Sequence, residues 1–486
     1  MVSYRIFPAI GIARIGGDED FFLGPERVGE GPIEPASGAK ATRFKSADGK
    51  LIRKQGARFH LFESTDGVAW TPAKLPIGAT VEWSVVLANT KAAAERPSVP
   101  PIKATRPVMA AGSEGMAIVS AKTTITGAGQ SSAALGGVFV TIGPTGQPFI
   151  VEVKLGQLRT DDQGRLIVTG GDGISGAPAG MAVGPSFYNN EKWFDDVADG
   201  PVTAKVMLAG GATQDAEGGA WVIIGPPDYA PNIGGIVTLF DIVREKGNAP
   251  IPEVPSFAAE ILPIIQRTRR HRWVNGKSNW SHSDIDVPNL GNNAAAHKTA
   301  RANALEIIKE AEKILDGHID ENGPPFQLTT GQKAMLDAWV QGDFNMSPLD
   351  IPALSGSGLT RASLEGAVGQ GFCPGIEAGI LVEDRSIYLE PFDYRIDHGE
   401  IAAGDLTALM AQPWQADFYD CAGSWWPAQR PDEAPQSDDF DDTKEWVRDV
   451  NSQSDMVEKF QLLGFILKQG DDEVYIESER ATPFVA

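Results

Sequence analysis

Residues 137–169 limit the folds open to this chain more than any other stretch. Gly137–Ile142 and Phe149–Val153 are apolar, β-branched runs on either side of Gly143-Pro144-Thr145-Gly146-Gln147-Pro148. Glycine supplies the left-handed backbone and proline the fixed φ that a tight reversal needs, so the pair reads as a β-hairpin. A second hairpin follows at once, with Leu155–Thr160 and Leu166–Thr169 flanking Asp161-Asp162-Gln163-Gly164-Arg165. Thr80–Leu87 and Trp221–Ile224 have the same β-branched and aromatic character, and the latter stops at Gly225-Pro226-Pro227. Phe7–Gly16 is a Gly/Ala-rich apolar run ending at a turn. Many short strands separated by such turns predict a sandwich-like β domain to about residue 235.

The pattern changes near residue 250. Thr299–Leu315 places Ala304, Leu305, Ile307, Ile308, Ala311, Ile314 and Leu315 on one face of a helix that stops at Gly317. Thr329 or Thr330 caps a second helix, Gln332–Val340, with Met335, Leu336 and Trp339 on one face. Short helices are expected at Ala362–Val368 and Leu406–Met410, and a longer one at Thr443–Phe460 before a strand at Glu473–Ile476. The expected class is α+β. A β-rich N-terminal domain (1–245) precedes a mainly helical C-terminal domain (246–486) that holds the site, since 486 residues exceed one core.

Composition removes several functions. A net charge of −22 disfavours nucleic acid and anionic membrane as partners, because both call for lysine and arginine. Two cysteines are too few for a disulfide scaffold. The start, Met1-Val2-Ser3-Tyr4-Arg5, lacks the basic region and apolar run of a signal peptide, and no apolar stretch is long enough to cross a bilayer. A soluble cytoplasmic protein is expected; unconventional export leaves no mark in such a sequence.

Both cysteines and three of the eleven tryptophans fall between Gly371 and Asp432. That stretch contains Gly371-Phe372-Cys373-Pro374-Gly375-Ile376-Glu377, Pro413-Trp414-Gln415-Ala416-Asp417 through Cys421, and Trp425-Trp426. Such cysteines are often buried small hydrophobes, and a single disulfide is the other plain reading. Paired indoles are often packing anchors. The six histidines are scattered; His282-Ser283-Asp284-Ile285-Asp286 is a weak ligand set, so no metal is expected. There is no Gly-x-Ser-x-Gly elbow, Walker lysine or dinucleotide fingerprint, so no nucleotide is expected either. Arg267-Thr268-Arg269-Arg270-His271-Arg272 reads as an ion-pairing cluster, with an anion or subunit contact as the functional alternative.

The opening Tyr4–Gly16 with Phe21-Phe22-Leu23-Gly24-Pro25-Glu26 resembles the start of the LodA-like proteins, the lysine ε-oxidase and glycine oxidase family. Leu155–Gly171 and Gly225-Pro226-Pro227-Asp228-Tyr229-Ala230-Pro231 are similar to the family's interior. Phe372–Glu377, Pro413–Cys421 and Trp425–Asp432 are similar to its C-terminal part. The resemblance implies a protein-derived cofactor, cysteine tryptophylquinone, joining Cys373 to Trp414. It also implies covalent catalysis in which an amino acid or primary amine is oxidised by O2 to give ammonia and hydrogen peroxide. Phe372, Glu377, Asp417, Trp425 and Trp426 are then expected to line the substrate pocket. His398, in Asp397-His398-Gly399-Glu400, is a candidate base, with a loop or cap histidine as its alternative. A maturation flavoprotein and a homo-oligomer are implied on the same ground. Family members place an acidic residue shortly before the cross-linked cysteine, whereas Gly366–Phe372 contains none. A cofactor-free homologue acting as a binding or assembly protein therefore stands as the second reading.

Overall fold

The structure is a computed structural model describing residues 2–96, 104–184, 186, 188–275, 285, 288–316, 328–347, 354–369, 378–420, 428–439, 442–470 and 472–484. Both expected hairpins form. Ser131–Ile142 pairs antiparallel with Pro148–Thr160, which pairs with Leu166–Gly170. The expected sandwich is replaced by one barrel-like sheet of fifteen strands. Its main path continues from Leu166–Gly170 through Arg53–Ser64, Ile10–Arg14, Ala220–Gly225, Ala198–Met207 and Thr80–Val85 to Thr123–Thr126. The physical reason is lateral: the twelve-residue strand Arg53–Ser64 pairs on both edges, so the hairpins join the N-terminal strands edge to edge instead of stacking on them. Strand twist then curls the sheet.

Ile10–Arg14 and Ala220–Gly225 run parallel, and every residue of both is buried. Strands covered on both faces lose the polar alternation, which is why Phe7–Gly16 and Trp221–Ile224 read as continuous apolar runs. The helix Gly356–Glu365 supplies part of that cover. Its Thr360 Oγ1 accepts from the Ala9 backbone N–H at 3.0 Å and its Ser363 Oγ from that of Ile12 at 3.2 Å. A cluster containing Ile10, Ile12, Trp221, Ile223, Leu239 and Leu364 fills the space between them. The larger core draws on both halves of the chain, from Ile6 to Tyr475.

The helices Lys298–Asp316 and Thr330–Gln341 lie where the periodicity puts them. The second is closed by a capping box: Thr329 Oγ1 accepts from the Gln332 N–H at 3.1 Å and Gln332 Oε1 from the Thr329 N–H at 3.0 Å. The long helix expected at Thr443–Phe460 is instead a strand, Thr443–Glu445, and a helix, Gln453–Lys459. Asp449 at φ 72° breaks the run, and Ser452 starts a new helix by accepting from the Asp455 N–H. Leu406–Met410 is a turn, and the residues after it, Trp414–Asp420, are helical. The arginine run ends the helix Leu262–Arg270, where Arg267 faces Glu365 at 3.4 Å and Arg270 holds Glu473 with two hydrogen bonds. No described helix is long and apolar enough to cross a membrane.

Candidate active site

Trp414 opens a seven-residue helix whose first five residues, Trp414 to Phe418, are all buried. Phe418, one turn on, meets the indole edge-on at 4.8 Å between ring centroids, and Phe460 does so from another element at 5.1 Å. The indole is 1% exposed, and its Nε1 has no hydrogen-bond partner among the described residues. An orphaned buried N–H costs about 1–3 kcal/mol and calls for an explanation; Trp193 Nε1 is a second described indole N–H in this state. Gln415 repeats the pattern: its Oε1 accepts from Ser175 Oγ at 2.8 Å, while its Nε2 is buried without a described partner.

The chain leading into Trp414 is gripped along its length by groups distant in sequence. Arg96 donates to the carbonyls of Ala408 and Met410, each at 2.9 Å. Lys91 Nζ donates to the Ala411 carbonyl. Asn190 Nδ2 donates to the Gln412 carbonyl at 2.8 Å, and the Gln412 amide donates to the Trp193 carbonyl. Asp195 Oδ2 accepts the Trp414 backbone N–H at 3.0 Å. These bonds to other elements replace helical ones, which is why Leu406–Met410 does not form the expected helix.

Three carboxylates behind this segment, Asp195, Asp196 and Asp199, are at most 1% exposed. Asp195 pairs with Lys91 Nζ at 2.5 Å and accepts from Asn89 Nδ2 at 2.8 Å. Burial pushes the Lys91 ammonium below the usual lysine range. Asp196 Oδ2 accepts from the backbone N–H groups of Gly173 and Ile174 at 2.7 and 3.0 Å, and its Oδ1 has no described partner. Burial pushes the Asp196 carboxyl up to about 7. Asp199 is fully engaged, taking Thr407 Oγ1 and N–H on one oxygen and Trp221 Nε1 and the Gly404 N–H on the other. Burial pushes its carboxyl up to about 6.

The N-terminal motif holds the end of the helix Gly356–Glu365. Arg14, 2% exposed, donates to the Pro226 carbonyl and to the Gly366 carbonyl, each at 3.0 Å. The turn Gly225–Pro231 is thereby tied to the end of the helix that leads toward the cysteine. On its other side, the Tyr229 N–H donates to the Gln429 carbonyl at 3.0 Å, and Arg430 Nε donates to the Phe418 carbonyl at 2.6 Å. Cys373, Phe372, Glu377, Cys421, Trp425 and Trp426 lie outside the described residues, as do His282, Asp284 and Asp286. Asp417 is buried on the Trp414 helix. His398 is set apart from Trp414: its ring packs edge-on against Trp221 at 5.2 Å, and its Nε2 lies 3.2 Å from the Ala220 carbonyl. Burial lowers its pKa. The two residues share no hydrogen bond or ring contact among the described residues.

Sequence reading missed Lys91, Asn89, Asp195 and Phe460. One signal was available: Asp195-Asp196-Val197-Ala198-Asp199 places three carboxylates at the entrance to an apolar strand, where charge is retained only with partners.

A barrel-like sheet with a helical C-terminal part is an architecture already known among solved structures. The crystal structure of the L-Lys epsilon-oxidase from Marinomonas mediterranea superposes with a TM-score of 0.76 at 22% identity, covering 98% of this chain and 95% of that one. The Schiff base intermediate of the same enzyme with L-Lys gives 0.77 with the same identity and coverage. Residues 7–224 match the family description "L-Lysine epsilon oxidase N-terminal" and residues 321–446 match "L-lysine epsilon oxidase C-terminal domain". The chain belongs to this LodA-like oxidase family. L-lysine 6-oxidase of Marinomonas mediterranea is 27% identical over 539 aligned positions, spanning 86% of this chain and 71% of that protein.

Proposed function

We propose that the protein is a quinone-dependent oxidase that deaminates an amino acid or primary amine, with Cys373 and Trp414 as precursors of cysteine tryptophylquinone. The observation that carries this is Trp414 itself: fully buried, without a partner for its indole N–H, on a segment held by side chains from distant elements. Family membership supports the same reading. The residues present fit the group. The indole is walled by rings that hold it edge-on, and its free polar edge is the kind of edge a modified, more polar ring needs.

When formed, the quinone supplies an electrophilic carbonyl and a two-electron sink. The chain supplies the rest. Phe418 and Phe460 fix the plane of the ring and exclude water from its edges. Phe372, Glu377, Asp417, Trp425 and Trp426 are proposed to form the wall against which the amine is bound. Overall, the amine loses two electrons and two protons, one proton from carbon and one from nitrogen; water supplies the carbonyl oxygen, ammonia leaves, and dioxygen takes up two electrons and two protons to become hydrogen peroxide. A maturation flavoprotein and a homo-oligomeric state are part of the proposal by family resemblance.

Amine-dependent peroxide release from protein made beside its maturation flavoprotein tests the reading. Cys373→Ala and Trp414→Phe are each expected to abolish it with the fold intact; peroxide from either variant refutes the assignment. One observation favours a second reading, a cofactor-free binding or assembly protein: Gly366–Phe372 contains no acidic residue. Unmodified Trp414 and free Cys373 in the same preparation would establish that reading instead.

A further inference from the structure

We infer that the buried Lys91–Asp195 pair is the positioning device that sets Trp414 for its chemistry, an inference that rests on the quinone reading above. The pair has an unusual construction. Both side chains are at most 1% exposed, Lys91 Nζ and Asp195 Oδ2 lie 2.5 Å apart, and neither charge reaches solvent. Removing two ions from water is costly, and apolar residues of similar size generally hold a core together equally well. A chain that keeps such a pair gains something other than packing.

What it gains is a bracket around Trp414. The ammonium donates to the Ala411 carbonyl, three residues before the indole, and the carboxylate oxygen that binds the ammonium also accepts the Trp414 N–H. One ion pair therefore grips both ends of Ala411-Gln412-Pro413-Trp414. Its far side is anchored as well: Asn89 Nδ2 donates to Asp195 Oδ1 and to the Asp195 and Val197 carbonyls, at 2.8, 2.9 and 2.9 Å. Register is thus passed from the Ala88–Asn89 strand and the Asp195–Asp199 segment to the backbone of Trp414. The indole has no described hydrogen bond of its own, so its orientation depends on this backbone grip and on two ring contacts. Lys91 and Asp195 act through Trp414 and do not touch its ring in any described contact; they are positioning residues.

A double variant, Lys91→Met with Asp195→Leu, removes both charges while keeping bulk, and so separates folding from positioning. Three quantities are read on full-length protein made beside its maturation flavoprotein: thermal unfolding, the fraction of Trp414 recovered in a cross-linked, oxygenated peptide, and kcat per quinone. The expected result is a cooperative unfolding transition near that of the parent with a large loss of cross-linked Trp414. Any quinone that does form should turn over slower by on the order of 10²-fold, the scale on which a misplacement of about 1 Å acts. Asp195→Asn, which can still accept from the Trp414 N–H, should retain more cross-link than Asp195→Leu. A folded double variant with parental cross-link yield and parental kcat overturns the inference while leaving the function standing. Unmodified Trp414 in the parent protein overturns the quinone reading and, with it, this role for the pair.

Discussion

Two tryptophans in this molecule are buried to the same degree beside an aspartate, and they differ in one bond. Trp221 is 0% exposed and donates its indole N–H to Asp199 at 3.0 Å. Trp414 is 1% exposed; Asp195 takes its backbone N–H, and the indole N–H has no partner among the described residues. Trp221 has both of its own donors matched, its backbone N–H going to the Ala9 carbonyl at 3.0 Å, as expected where the task is to hold a barrel-like sheet to its covering helices. Around Trp414, the Nε1 of Trp414, the Nε2 of Gln415 and the Oδ1 of Asp196 are left over. Other buried polar atoms of the described residues also lack a hydrogen-bond partner, Trp193 Nε1 and Lys45 Nζ among them, so what distinguishes Trp414 is an unpaired indole N–H on a backbone gripped from distant elements.

The comparison breaks first at the two indoles. Trp414→Phe is expected to remove all amine-dependent peroxide release, whereas Trp221→Phe should leave it near the parental level. Stability should move the opposite way. In protein made without its maturation partner, Trp221→Phe leaves Asp199 short of a donor and should cost roughly 1–3 kcal/mol more than Trp414→Phe, which loses no hydrogen bond. Urea midpoints of the two variants measure this, and equal costs would dissolve the distinction.

A smaller effect concerns the carboxylates. Burial raises Asp196 to about 7 and Asp199 to about 6, both above the value near 3.9 of an unfolded chain. Each is neutral in the fold at low pH, so its contribution to stability is fully present below about pH 4 and is lost as pH rises through its folded value. Asp196→Asn keeps an acceptor for Gly173 and Ile174 and cannot ionise. Relative to the parent, its melting temperature should therefore climb between pH 4 and pH 8, by several degrees. Melting curves that stay parallel over that range would show that Asp196 does not titrate there.

The smallest effect is at His398, which belongs to the Trp221 side of the comparison. His398→Gln should lower stability slightly and leave kcat within about threefold, because its ring rests on Trp221. A fall of about 10²-fold or more, with the quinone spectrum retained, would instead assign it the base.

How much of this was legible beforehand depended on the range of the interactions. The hairpins around Gly143–Pro148 and Asp161–Arg165, and the start of the helix near Thr329, are set within a few residues of chain and were read correctly, although the choice between Thr329 and Thr330 as the cap was left open. The single barrel-like sheet was not, because its path depends on Arg53–Ser64 pairing with strands far away on both edges, which no local pattern records. Trp414 was singled out from its motif, and its burial and gripped backbone are what the structure adds. Its support was not legible: Lys91, Asn89 and Asp195 lie more than two hundred residues earlier, and their role exists only once the fold has placed them behind Ala411–Trp414. The helix expected at Leu406–Met410 failed for the same reason, since distant side chains take its carbonyls.

The proposed chemistry depends on the state of one side chain, Trp414. Proteolytic mapping of protein made beside its maturation flavoprotein should recover Trp414 in a peptide covalently joined to the peptide of Cys373, with oxygen added to the indole. Recovery of Trp414 unmodified and Cys373 as a free thiol would contradict it.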